Sequence, residues 1–127
     1  MKRKTLILLV IVSAMLMVWL GHCDEHKKDT VSFTHDLQLI FNSRCIDCHG
    51  AGGMAHLNLT SYANLMAGDS DNGPVVRPNL PEQSLLYEKV AQPTPSIGER
   101  MPLGRAALSQ SEINDIGTWI QEGAQDN

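Results

Sequence analysis

Apolar positions along the chain follow two patterns: one unbroken block near the start, and four short segments at helical spacing. The block runs from Leu6 to Leu20, 15 residues without a charge, directly after Met1-Lys2-Arg3-Lys4. At about 1.5 Å per residue it makes roughly 22 Å of helix, short of the ~30 Å hydrocarbon core of a bilayer. Spanning therefore needs Thr5, Gly21 and their neighbours to reach the interfaces. The first short segment carries Leu37, Ile40 and Phe41 on one face, with Thr34 as cap and an end near Arg44. A second, brief one follows Thr60 or Ser61 as cap and stops at Gly68. The third is predicted from about Pro81 to Ala91, its apolar face made of Leu85, Leu86, Tyr87 and Val90. The last opens on Ser109-Gln110-Ser111-Glu112, a capping box, and continues with Ile113, Ile116 and Ile120 until Gly123. Gly117 inside it costs about 1 kcal/mol relative to alanine, which predicts a close helix crossing, with the first helix as partner. Trp119 is assigned to the core.

Between these segments the chain is rich in turn formers. Gly50, Gly52 and Gly53 allow a tight turn, Asp69-Ser70-Asp71-Asn72-Gly73-Pro74 reads as a loop, and Gly98 to Gly104 has little regular potential. With 127 residues there is room for one domain. The hydrophobic fraction is 43%, but the early block holds part of it, so the rest is lean and would gain from an apolar ligand.

The basic start and apolar block read as an export signal or membrane anchor over residues 1–22, followed by a linker over 23–32 and a domain over 33–127. No good small-x-small cleavage site follows the block. Leu20-Gly21-His22-Cys23 resembles a lipobox with His22 out of place, so an uncleaved anchor and a lipidated Cys23 are both open. Either places the domain in the periplasm or on the outer face of the membrane. All 14 acidic residues lie beyond residue 22, with seven of the ten basic ones, giving that part a formal charge of −7. Such a surface argues against nucleic acid as partner and suits either solubility or steering towards a basic protein.

The stretch Arg44-Cys45-Ile46-Asp47-Cys48-His49-Gly50 sets two thiols and an imidazole inside five residues. A structural zinc site needs four ligands, and no second C-x-x-C or H-x-x-x-H is present. A thioredoxin-like disulfide sits where a strand meets a helix, and no run of β-branched or alternating residues precedes Cys45. C-x-x-C-H has a specific reading in an exported chain: both thiols add to haem vinyl groups, and the histidine binds the iron. Cys45 and Cys48 are the thioether candidates and His49 the proximal ligand. For the other iron face the candidates are Met54, Met66 and Met101. Met54 is too near His49 along the chain, and Met66 suits a core position. Met101 lies 52 residues beyond His49 in a proline- and glycine-flanked loop and is the choice for distal ligand. His35 and His56 read as surface or loop residues. Pro74 or Pro78 is a candidate carbonyl for orienting the His49 ring.

With these pieces in place the chain resembles the class I cytochrome c family, nearest to the small bacterial, planctomycete-type cytochrome c domains. RCIDCHG, HLNLTSYANLMAG, PEQSLLYEKV and GERMPLGRAALSQSEINDIGTWIQEGA carry the likeness over about residues 33 to 124. The resemblance implies an all-α fold of three to five helices around one covalent haem c, beside the hydrophobic N-terminal helix. It implies an electron carrier or redox-complex subunit, not an enzyme, working with redox partner proteins. The rival expectation is a ligand-binding or peroxidase-like haem protein with an open sixth iron position. Arg77, Arg100 and Arg105 are the cationic candidates for the haem propionates.

Overall fold

The computed structural model describes residues 30–127. The segment expected over residues 1–22, Cys23 and most of the linker lie outside the described residues. Among the described residues the regular structure is helical, with no strand.

The first helix begins as a π-wound segment, Phe33–Leu37, and runs straight into α1, Gln38–Arg44. Its cap is Ser32, not Thr34. The Ser32 hydroxyl accepts the His35 N–H, and the Asp36 carboxylate accepts the Ser32 N–H at 2.8 Å. This reciprocal pair satisfies donors that a helix start leaves open, and it lets Phe33 and Leu37 bury together. Leu37, Ile40 and Phe41 are buried as their spacing predicts.

Helix α2, Tyr62–Met66, is capped by Ser61, whose hydroxyl accepts the Asn64 N–H. Thr60 is occupied elsewhere, donating to Asn58 Oδ1 at 2.7 Å. The helix predicted over Pro81–Ala91 is two elements: a 3₁₀ turn, Pro81–Gln83, and α3, Leu85–Ala91. Ser84 breaks it. Its extended backbone and buried side chain serve the incoming chain, the hydroxyl accepting from the Arg77 N–H at 2.8 Å and donating to the Leu80 carbonyl at 2.9 Å. A helical Ser84 would forfeit those bonds in a buried place.

Helix α4, Gln110–Gln121, has the full capping box, with Ser109 and Glu112 exchanging bonds. Ile113, Ile116 and Ile120 are buried, and so is Trp119. Trp119 and Phe33 rings lie 5.5 Å apart, and Tyr62 meets Phe33 edge-on at 5.3 Å, the T-shaped geometry aromatic pairs favour. The polar ends of these rings find backbone partners, Trp119 Nε1 at the Gln125 carbonyl and Tyr62 Oη at the Ala124 carbonyl. The close approach predicted at Gly117 occurs, but with α3: a Cβ there would lie 2.8 Å from Tyr87 Cε2. The first helix instead meets α4 through its π-wound segment.

Where the chain enters the described domain it is tied to its last residue. Asn127 accepts from the N–H of Phe33 and Thr34 and from the Ser32 hydroxyl, and its side-chain amide donates to Val31. Glu122 takes the Val31 N–H at 3.1 Å.

Candidate functional site

Helix α1 ends at Cys45, and the motif that follows is a pair of tight turns. The N–H groups of Cys48 and His49 both donate to the Cys45 carbonyl, at 3.1 and 2.9 Å. The chain then doubles back: Gly53 donates to Gly50, and Met54 to the Cys48 carbonyl at 2.8 Å. Leu59 closes the turn by donating to the His49 carbonyl at 2.8 Å. Gly53 makes this fold-back possible. A Cβ there would sit 2.5 Å from the Cys48 oxygen and 2.8 Å from His49 Cα.

This turn also orients the imidazole. His49 Nδ1 lies 3.2 Å from the Met54 carbonyl, which can only accept, so in the neutral ring this contact selects the tautomer with its proton on Nδ1 and its lone pair on Nε2. Met54 thus fills the role considered for Pro74 or Pro78. Its side chain is exposed, and only its backbone serves the ring. The signal in the sequence was the glycine run, which permits the fold-back but does not name the carbonyl it delivers.

Cys45 and Cys48 are free thiols. Burial pushes the Cys45 thiol up to about 11, against the opposing pull of the Arg44 and Arg105 charges. A redox-active C-x-x-C depends on a depressed thiol pKa; the shift here runs the other way. Among the described residues no group of three or more His, Cys, Asp or Glu side chains gathers as an ion site.

Two openings meet at the motif. One, about 690 Å³ with solvent at its mouth included, has Leu57, Leu59, Val75, Leu86 and Val90 as apolar wall. The other, about 680 Å³ on the same measure, is bordered by Arg44, Cys48, Met54, Pro102, Leu103 and Arg105. Cys45, His49 and Met101 line both. The lining is that of a small-molecule site, apolar with a few convergent polar groups.

Met101 is held by an irregular loop pinned at both sides. On the α3 side its N–H donates to the Lys89 carbonyl at 2.8 Å, Lys89 Nζ donates to Ile97, and Arg100 donates twice to the Val90 carbonyl. Ser96 gives its N–H and hydroxyl to the Glu88 carboxylate, which holds that carboxyl below its usual range. The Met101-Pro102 peptide bond is cis. On the motif side, Arg105 pairs with Asp47 at 2.8 Å, and Arg44 donates to the carbonyls of Ala106 and Ala107.

These bonds revise the cationic candidates. Arg100 is committed to the Val90 carbonyl, Arg105 pairs with Asp47 while bordering the second opening, and Arg77 is exposed and lines neither opening. Lys89 and Arg44, not singled out from sequence, do line the openings, and Arg44 Nε is a buried donor without a protein partner. Met66 packs partly buried against the core, His35 is exposed, and His56 is an exposed partner of Asp71 at 2.6 Å.

Two thiols, an imidazole with a free Nε2 and a thioether on one apolar cleft fit a covalently bound haem, since each donor type has a use there. A helical domain with this cleft and C-x-x-C-H motif has the features of a c-type haem protein. Residues 45–102 match the family model described as planctomycete cytochrome C, which supports a cytochrome c domain of planctomycete type there. That kinship implies covalently bound haem c and, as the general activity, haem-based electron transfer. Searches of the curated proteins and of the solved structures found no match.

Proposed function

We propose that the chain is a monohaem c-type cytochrome that passes single electrons at the outer face of a membrane, as a tethered carrier or a subunit of a redox complex. Cys45 and Cys48 are its thioether residues, His49 the proximal iron ligand and Met101 the distal one. The observation that carries this reading is that Cys45, His49 and Met101 share the walls of both openings. With His49 and Met101 both holding the iron, no position would be left for substrate, which favours a carrier over an enzyme.

When bound, haem supplies an iron that gains and loses one electron. The chain's own residues keep that exchange simple. The Met54 carbonyl fixes the Nδ1 proton of His49, so Nε2 stays available and the ring has little freedom to turn. Leu57, Leu59, Val75, Leu86 and Val90 give the cleft an apolar wall that disfavours water beside a bound haem. The bonds from Lys89, Arg100 and Arg105 restrain the loop that presents Met101. Restraint of both ligands means little rearrangement between oxidation states.

The expected result in the purified holoprotein is a pyridine haemochrome of c type at one haem per chain, with the far-red absorption band of methionine-ligated ferric haem. Lack of that band, with rapid cyanide or CO binding, would establish an open sixth position instead. Tethering rests on the apolar block and on Cys23. Mass spectrometry of the native membrane fraction should find an intact N-terminus or a diacylated Cys23, and a soluble species starting near His26 would refute both.

A further inference from the structure

The restraints on Met101 come from two unlike sources. On the α3 side they start at the helix end, where the Lys89 and Val90 carbonyls are held in place by helix α3, Leu85–Ala91. On the other side they cross to the haem motif itself. Asp47, between the two cysteines and two residues before His49, receives Arg105, four residues beyond Met101, at 2.8 Å. Gly98 and Gly104 flank the methionine with backbone angles φ of +58° and +68°, conformations that favour glycine, so the loop turns at those two points. Leu103 between them is exposed and borders the second opening.

We infer that Asp47 and Arg105 form a latch that joins the C-x-x-C-H turn to the methionine loop and holds Met101 in place as iron ligand. Both are positioning residues: neither is a ligand, and each acts through Met101. The inference rests on the methionine ligation proposed above. Asp47 is suited to the task because covalent attachment at Cys45 and Cys48 would fix its place relative to the haem. A loop tied to Asp47 is tied to the same frame as the iron. The pair is half exposed, at 46% for Arg105 and 67% for Asp47, so its strength is that of a surface ion pair and is screened by salt.

The test uses the full-length holoprotein, matched for haem content by pyridine haemochrome, with imidazole as competitor for the Met101 position. Loss of the far-red band reports displacement. Arg105→Gln and Asp47→Asn should each bind imidazole about two- to fivefold more tightly than wild type. Arg105→Lys should recover most of the difference, and the double variant should match the single ones. High salt should bring wild type up to the variants. Singles that bind imidazole like wild type, or a double variant whose effects add in full, would overturn the latch while methionine ligation stands. A wild type without the far-red band would overturn methionine ligation, and the latch with it.

Discussion

Tyr87 on α3 lies directly over Gly117 on α4, so closely that a Cβ at 117 would stand 2.8 Å from Cε2 and 3.4 Å from Cδ2 and Cζ. The helix tolerates a poor helix former because the ring occupies the space. Gly117→Ala gains about 1 kcal/mol of helix propensity but forces the ring aside, an overpacking cost of about 1–3 kcal/mol. The net expectation is a loss of about 1 kcal/mol in denaturant unfolding. In a Tyr87→Ala background the same change should be neutral or stabilising. Equal effects in both backgrounds would show that Tyr87 is not the cause.

Gly53 has an ordinary negative φ of −69°, so its requirement is one of space. A methyl group would press on the Cys48 carbonyl, His49 Cα and the Gly50 nitrogen. Those atoms are backbone and cannot step aside. Gly53→Ala should therefore cost about 2–3 kcal/mol and lower the yield of covalent haem, read as haemochrome per mole of protein. Gly52→Ala is the contrast: open space surrounds it, and only its positive φ opposes a side chain.

Ser109 and Glu112 close the start of α4. The Ser109 N–H holds the Glu112 carboxyl below the ordinary value of 4.5. Because the folded value is the lower one, the stabilisation is full above about pH 4.5 and disappears as pH falls through the folded value. Ser109→Ala should cost about 1 kcal/mol at neutral pH, and Glu112→Gln should flatten the acid limb of a stability-against-pH curve. An unchanged acid limb would exclude this carboxylate as a source.

His56 shows the opposite sign. Its hydrogen bond to Asp71 and the charge of that carboxylate raise it above 6.5. What the pair contributes is present below pH 6.5 and lost as pH rises through the folded value. An NMR titration should place His56 above 6.5, and Asp71→Asn should return it towards that value. Identical titration in both proteins would dissolve the pair.

The parts of this molecule legible in sequence are those governed by nearest neighbours in the chain. The Ile113, Ile116, Ile120 stripe and the Ser109 box depend on residues three or four apart, and both are present. Ser32 displaced Thr34 as a cap because Asp36 could reach back, a choice between two local options. The misassignments needed the third dimension. Nothing near Ser84 in the chain announces that it will be buried under Arg77 and Leu80, and nothing near Gly117 says that the ring above it belongs to α3. The cleft was legible as chemistry, since C-x-x-C-H and a lone loop methionine define a donor set. The carbonyl behind His49 and the arginine behind Asp47 were not, because a backbone oxygen has no letter and an ion pair 58 residues apart leaves no spacing to read.

The knot of bonds around Asn127 joins the start of the described domain to the residues that follow α4. The chain enters at Val31 and finishes beside it, clasped by Asn127 and by Glu122 just beyond α4. None of these residues lines either opening. The clasp is continuous with the aromatic cluster of Phe33, Tyr62 and Trp119, so the start of the described domain, the residues after α4 and the core hold one another in register.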